Sequence, residues 1–430
     1  MAVDMTATSA PQAVARLGAR CRFCTATLTH SFVDLGMSPL CQTHIEVGHL
    51  GAMEPFYPLH ALVCDRCWLV QLQEFVAPAD IFSEYAYFSS YSDSWVEHAR
   101  RYAEKVCAEF AIGTGSLAVE IASNDGYLLQ HLLARGVPVL GVEPAANVAK
   151  VAVEKGIRTE VVFFGRAAAA QLAAKHGRAS LLLGNNVLAH VPDLNDFVAG
   201  MRLFLAPDGL ITMEFPHLLR LMEGNQFDTI YHEHFSYFSF VTVQRVFAQH
   251  GLALFDVEEL PTHGGSLRIY AQHAGAARPV TGRVTELLNR ERALGFERLE
   301  TYQRFGAQVR ETKRKILEFL IGAKRAGKQI VGYGAPGKGN TLLNYCGIRN
   351  DFLDYTVDRN PYKQGKYTPS THIPILPPER IRETRPDYLF ILPWNLTTEI
   401  IATMSFIREW GGKFVVPIPE AAVLDPREPR

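Results

Sequence analysis

Twice along this chain, short apolar runs alternate with stretches of helical periodicity, and no other feature narrows the fold as far. The first series is LAVEIA, VLGVEP, SLLLGN and LITMEFP, separated by segments such as LLQHLLARG and LNDFVAGMRLFLAP. The second is QIVGYGA, LDYTVDR, DYLFILP and KFVVPIP, separated by helix-like or Pro-rich stretches. Strands joined through helices pair in parallel, so each series predicts a doubly wound α/β sheet with ligands outside the carboxyl ends of its strands. A helical stretch, SWVEHARRYAEKVCAEF, leads into the first series. Residues 283–327, rich in Glu, Arg, Leu and Lys and without Pro, read as one or two long helices linking the halves.

The first 75 residues differ, with many turns, few helical signals and two close cysteine pairs. Cys21-x-x-Cys24 and Cys64-x-x-Cys67 offer four thiolates at the spacing by which backbone turns deliver sulfur to a tetrahedral Zn²⁺. Four thiolates leave no open position, so the zinc is structural. Cys41, His44, His49 and His60 lie between the pairs and are read as non-ligands, and Cys107 and Cys346 as buried inert thiols. The expected organisation is a zinc domain over 1–75, an α/β domain over 76–282, the helical linker over 283–327 and a second Rossmann-like α/β domain over 328–430.

The 430 residues are 48% hydrophobic and 20% charged, with a formal net charge of -1. That balance gives no basic footprint for nucleic acid and no acidic tail. There is no apolar run of about 18 residues to enter a membrane, and no apolar stretch of signal-peptide type near Met1. The expectation is a cytoplasmic protein with neither nucleic acid nor membrane as partner.

Three loops carry ligand-binding signals. In LAVEIASNDGYLLQHL a strand ends at Glu120 to Ala122, and Ser123, Asn124, Asp125 and Gly126 form a turn before a helix. The next strand ends in GVEP, placing Glu143, with Pro144, where an acid can take both hydroxyls of a ribose. A dinucleotide and S-adenosylmethionine both fit this outline. Asp125 and the scarcity of glycine suit a sulfonium with an amino-acid tail better than a pyrophosphate, although Ala122 stands where a methyltransferase loop usually has its first glycine. Asn185 and Asn186 close a further strand at the same end of the sheet, with His190 just beyond.

The second loop, VGYGAPGKGN, is partly a dinucleotide fingerprint (Gly332, Gly334, Gly337, with Asp358 as the ribose acid) and partly a P-loop. Gly339 replaces the Ser or Thr that Mg²⁺ requires, leaving an anion site with Lys338 as its charge. The third, HGGSLR, holds His263, Gly264, Gly265, Ser266 and Arg268. Its glycines permit close approach, and Arg268 is suited to a phosphate or carboxylate. Finally, YHEHFSYFS, from Tyr231 to Ser239, gathers two imidazoles, a carboxylate and two phenols, a mixture for moving a proton from carbon next to a carbonyl.

Taken in order, CRFC and CDRC, YAYFSSYSDSW, EIASNDG, GVEP, NNVLAHVPDL, FDTIYHEHFSYFS, HGGSLR and VGYGAPGKGNTLLNY resemble the sugar C-methyltransferase family, whose members methylate a carbon of a nucleotide-linked keto-deoxysugar. The resemblance covers most of the chain. It implies a zinc domain, an S-adenosylmethionine domain and a C-terminal Rossmann-like domain that helps hold the sugar nucleotide. It also implies His234 as base, with Tyr231 and Glu233 beside it, His190 as the histidine after the Asn-rich strand end, and Tyr85 or Tyr87 in the site. His232 would face the same way as His234 if the segment were extended. The mechanism expected is removal of the C3 proton beside a 4-ketone, then attack of the enolate on the methyl group. Two rival readings remain: an NAD-dependent nucleotide-sugar enzyme using the loop 332–339, and a non-catalytic zinc-bearing scaffold.

Overall fold

The computed structural model describes residues 18–77 and 88–424. Three sheets organise the described residues. The strands in chain order are β1 (His30–Ser38), β2 (Tyr57–Val63), β3 (Val70–Gln71), β4 (Ala118–Ile121), β5 (Val139–Val142), β6 (Thr159–Glu160), β7 (Ala179–Asn185), β8 (Leu205–Pro216), β9 (Ser236–Tyr237), β10 (Leu252–Leu260) and β11 (Ser266–His273). They continue with β12 (Ile330–Tyr333), β13 (Thr356–Val357), β14 (Ile375–Leu376), β15 (Tyr388–Ile391), β16 (Lys413–Val416) and β17 (Ala422–Leu424).

The central sheet has the order β10-β11-β8-β7-β4-β5-β6, parallel except for β11. Its strands β4, β5, β7 and β8 are the four apolar runs of the first series. β4 and β7 are neighbours, and the chain leaves them toward opposite edges of the sheet. A crevice therefore opens at their carboxyl ends, where Ala122–Gly126 and Asn185–Asn186 lie. The third sheet, β14-β13-β12-β15-β16-β17, is parallel apart from β17 and is built from the second series, with its own switch point between β12 and β15. The expected α/β architecture is present, with two doubly wound sheets and a small N-terminal module.

The modules share their cores. The N-terminal sheet runs β1-β2-β3-β9, so its last strand comes from the Tyr231–Ser239 segment: Val70 pairs with Tyr237 and Gln71 with Ser236. One apolar cluster runs from Phe32, Leu59 and Val70 through Phe227 and Ile230 to Phe305, Val309, Leu342 and Leu392. The helix Phe305–Arg325 supplies much of the cement. It buries Phe305, Val309, Thr312, Ile316, Leu320 and Ala323, the stripe that a 3.6-residue period puts on one face. Phe305 stacks on Phe32 at 4.6 Å between ring centroids. Burying either ring is worth roughly 2–3 kcal/mol. The charged, Pro-free stretch is thus helical as expected, in the pieces Gly282–Ala293, Leu299–Gln303 and Phe305–Arg325, and it packs against the N-terminal sheet as well as joining two halves. No helix among the described residues is long and apolar enough to cross a membrane.

Candidate active site

The two cysteine knuckles are built alike. Thr25 N–H returns to Cys21 O at 2.9 Å and Trp68 N–H to Cys64 O at 3.0 Å, and Thr25 (φ 62°) and Trp68 (φ 67°) turn left-handed to close them. The turns bring the sulfurs of Cys21, Cys24, Cys64 and Cys67 within 4.8 Å of one another, with Cys21–Cys67 and Cys24–Cys64 at 3.5 Å. Zinc–sulfur bonds in a tetrahedron place sulfurs roughly 3.8 Å apart, so the donor set fits the ion with little adjustment. Gln71 Nε2 donates to Cys21 Sγ at 3.2 Å, the kind of outer contact that steadies a thiolate. Cys41, His44 and His60 stand apart from this cluster, bonded instead to Glu233, Ala335 O and Ser31.

At the central crevice, Ala122 (φ 57°), Asn124 (φ 49°) and Gly126 (φ 76°) alternate with ordinary residues and fold the loop back on itself. Gly126 is required twice over, because a Cβ there would also stand 2.3 Å from Ile157 Cδ1. Glu143 lies at the end of β5, its two oxygens accepting from Asn124 N and Ala145 N, each at 2.9 Å. Each oxygen keeps a second lone pair for a ribose hydroxyl, and Pro144 is half-buried beside it. Asn124 Oδ1 accepts from Ser89 N at 2.9 Å, and Asp125 Oδ2 accepts from Ser90 N at 3.3 Å. Ser123 is fully buried, and its hydroxyl has no partner among the described residues. Glu120 is fully buried in β4 with no hydrogen bond to either oxygen among the described residues. Burial first, then the charges of Glu143 and Asp125, push its pKa well above the carboxylate range, so it stands protonated. Asn185 Nδ2 reaches Tyr127 OH at 3.3 Å, and Asn186 N–H bonds Glu214 O at 2.7 Å.

The Tyr231–Ser239 segment opens with a tight turn before β9, with His234 N–H bonded to Tyr231 O at 2.9 Å. The segment is not extended, and the turn sends its two imidazoles to separate partners. His232 Nε2 donates to Pro58 O at 3.2 Å, on the zinc-module side. His234 Nδ1 meets Thr229 O at 2.9 Å. A carbonyl only accepts, so Nδ1 carries the proton and Nε2 keeps its lone pair. The His190 ring stands edge-on to His234 at 4.6 Å and the Tyr231 ring tilts over it at 4.1 Å. Burial, then His190, His263 and Lys338, drive the His234 pKa well below 6.5. Burial, outweighing a hydrogen bond to the Glu233 backbone that favours the charged form, holds His190 at about 4. Both imidazoles are therefore neutral near pH 7. Phe235 ties the turn on both sides, its N–H to Ala189 O at 2.7 Å and its carbonyl to Leu72 N at 3.0 Å. Glu233 does not hold the tautomer of His234, since that task falls to Thr229 O; it is buried and receives Cys41 Sγ at 3.5 Å. Tyr85 and Tyr87 lie outside the described residues.

The glycine-rich loop of the third sheet reaches the same place, for Lys338 acts on both His234 and His263. Its glycines serve packing: a Cβ at Gly334 would meet Pro393 Cδ at 2.7 Å, and one at Gly337 would meet Cys41 Sγ at 2.9 Å. Asp358, expected at a ribose, accepts from Ala335 N–H at 2.8 Å, the kind of backbone bond that Glu143 also makes. His263 (φ 56°) and Gly264 (φ 90°) approach Trp95 and Trp394 respectively, and Ser266 Oγ bonds Thr262 O at 3.0 Å. Gly265 (φ 119°) backs onto Arg220.

Arg268 is a correction. It is 3% exposed and its guanidinium bonds Glu214 Oε2 at 2.5 Å, so it serves an internal carboxylate rather than a substrate phosphate. Glu214, with His98 at 2.8 Å and Thr262 at 2.8 Å, is part of a network that sequence reasoning missed. Burial would raise its pKa, but His98 and the Arg268 charge outweigh that and hold it at about 2. Asp228, Trp394 and Asn395 were also missed. Asp228 falls inside a matching motif, but the other two sit in a turn with no chemical pattern of its own.

The crevice at the ends of β4 and β7, the buried neutral His234 and the four-cysteine module belong to a chain whose relatives define an S-adenosylmethionine-dependent methyltransferase. A model of C-methyltransferase C-terminal domains matches residues 261–419, one of zinc-binding domains matches 21–82, and one of methyltransferase domains matches 95–257. The C-methyltransferase NovU of Streptomyces niveus is 37% identical over 404 residues, spanning 94% of this chain and 96% of that one. The chain belongs to this C-methyltransferase family. Solved structures with some similarity include the magnesium protoporphyrin IX methyltransferase of Synechocystis PCC 6803 with bound SAM, 13% identical, covering 41% of this chain and 78% of that one with a TM-score of 0.32. The CcbJ methyltransferase of Streptomyces caelestis is 14% identical, covering 41% and 90% with a TM-score of 0.32. Scores this low carry no argument about the site.

Proposed function

We propose that this protein transfers the methyl group of S-adenosylmethionine to C3 of a nucleotide-linked 4-keto-deoxysugar, through an enolate. The observation that carries the reading is His234, a buried neutral imidazole with Nδ1 fixed on Thr229 O and Nε2 left as base. A ketone acidifies the hydrogens on its neighbouring carbons. Nε2 takes the C3 proton, and the C–H electron pair moves into the C3–C4 bond and onto the ketone oxygen. Tyr231, packed against His234, is the described donor suited to that oxygen, since the single N–H of neutral His190 is given to the Glu233 backbone. When bound, S-adenosylmethionine supplies an electrophilic methyl, and Ala122–Gly126 with Glu143 and Asn185 would hold it. The C3 carbanion takes the methyl as its bond to sulfur breaks, and the proton leaves His234 to solvent. Lys338 would meet the anionic diphosphate of the substrate. An NAD site in the same loop is poorly supported, because Cys41 Sγ packs against Gly337, where a dinucleotide would need open backbone.

The test is incubation of the protein with S-adenosylmethionine and a nucleotide-linked 4-keto-6-deoxysugar, with the product read by mass spectrometry and NMR. A new methyl on C3 supports the proposal. A methyl on C5, the other carbon beside the ketone, would keep the chemistry and correct the position. Binding of NAD⁺ without S-adenosylhomocysteine binding would refute the reading.

A further inference from the structure

Trp394 touches this site from three directions. It opens the 3₁₀ turn Trp394–Leu396 that follows β15, at the carboxyl end of the third sheet. Its indole N–H donates to Asp228 Oδ2 at 2.7 Å, and Asp228 is fully buried in the turn Phe227–Thr229 just before Tyr231. Its ring carries the Lys338 ammonium 4.6 Å from the centroid, and Asn395 Oδ1 accepts from the same ammonium at 2.8 Å. Gly264 runs so close that a Cβ there would lie 2.6 Å from Trp394 Cη2.

We infer that Trp394 and Asn395 are positioning residues that hold Lys338, across the seam between the central and third sheets, as the cation for the diphosphate of the substrate. A lysine tip on four rotatable bonds surveys a wide volume and is strongly hydrated, so it makes a poor fixed charge unless something constrains it. Here two contacts constrain it, one from the π-face of an indole and one from an amide oxygen. The indole is itself fixed, because its N–H is bonded to a buried carboxylate on the opposite domain. Asp228 also supplies the negative charge that offsets part of the burial cost of the ammonium. The same indole abuts Gly264, so the loop bearing His263 and the loop bearing Lys338 are spaced by one ring. A shift of that ring would move the cation relative to His234 without touching the crevice around Glu143.

This inference rests on the reading of Lys338 as a substrate contact. Trp394→Phe keeps a ring under the ammonium and removes the N–H, whereas Asn395→Ala removes the tether. Each is expected to raise KM for the nucleotide-linked sugar about tenfold with kcat within about twofold, the signature of lost uniform binding. Affinity for S-adenosylhomocysteine should stay unchanged, and neither change should add to the defect of Lys338→Met. An unchanged KM in both variants, full additivity with Lys338→Met, or a parallel loss of S-adenosylhomocysteine affinity would each overturn it. Amide hydrogen exchange over 226–230 and 334–340 needs no substrate and should quicken in Trp394→Phe; unchanged exchange refutes the clamp. Wild-type protein that binds no nucleoside diphosphate, while exchange responds as expected, overturns the substrate reading alone.

Discussion

Replacing His234 by Asn separates its chemistry from its structural bond. An asparagine amide nitrogen occupies nearly the place of Nδ1, so His234→Asn can keep the bond to Thr229 O, 2.9 Å long in the parent, while deleting Nε2. His234→Ala loses both. The alanine variant leaves a buried carbonyl unmet, which costs about 1–3 kcal/mol, so it should unfold that much more easily than the asparagine variant. Both should lose about 10²–10⁴ in kcat, the usual share of a general base. The wild-type pH profile adds a second check. Burial and the neighbouring His190, His263 and Lys338 oppose the imidazolium, so the base stays neutral until the pH is well below 6.5. No acid limb from this group should appear between pH 6.5 and 8. The assay is single-turnover methyl transfer across pH, with urea denaturation of the three proteins. If His234→Asn keeps more than about a tenth of the activity, or the wild-type rate falls along a limb centred near pH 6.5 that the variant lacks, the argument for this base fails.

Three further outcomes follow from the geometry. Cys64→Ser should abolish the binding of one zinc per chain seen by elemental analysis and lower Tm. Methyl transfer should fall with it, because β3, next to that knuckle, pairs with β9 just after His234. Gly126→Ala must place a side chain at φ +76° against Ile157 and should cost about 1–3 kcal/mol, read as weaker S-adenosylhomocysteine binding by calorimetry. Arg268→Leu leaves the buried Glu214 carboxylate with His98 and Thr262 but no permanent countercharge and should destabilise the fold by about 3 kcal/mol; a selective rise in KM at unchanged Tm would contradict its internal role.

What the sequence disclosed, it disclosed where one residue type or one period suffices. The CxxC pairs declare their chemistry because four thiolates at knuckle spacing have few other uses. The runs LAVEIA, VLGVEP, SLLLGN and LITMEFP became β4, β5, β7 and β8 because strands buried on both faces read as near-continuous apolar runs, here broken only by residues such as Glu120 and Glu214. Residue types in YHEHFSYFS suggested proton transfer, yet the turn that parts His232 from His234 depends on Phe235 being bonded from both sides, and a local pattern does not record distant partners. Arg268 was misjudged for a related reason. A buried arginine and a phosphate-binding one look alike until Glu214 and His98 are seen beside it. Trp394 left no signal, since its importance comes wholly from what three other loops place around it.

The pairing of β9 with β3 also orders events during folding. A chain emerging from the ribosome can form its zinc knuckles early, but β3 then waits with an open edge until Ser236 and Tyr237 arrive from far along the sequence. An uncovered strand edge invites pairing with other chains. The metal module is therefore exposed to self-association until the segment that carries His234 has docked on it. Contacts so distant in sequence form slowly. Expression of the N-terminal module by itself should accordingly yield aggregates, and competence for catalysis should appear in the same step that seals this edge.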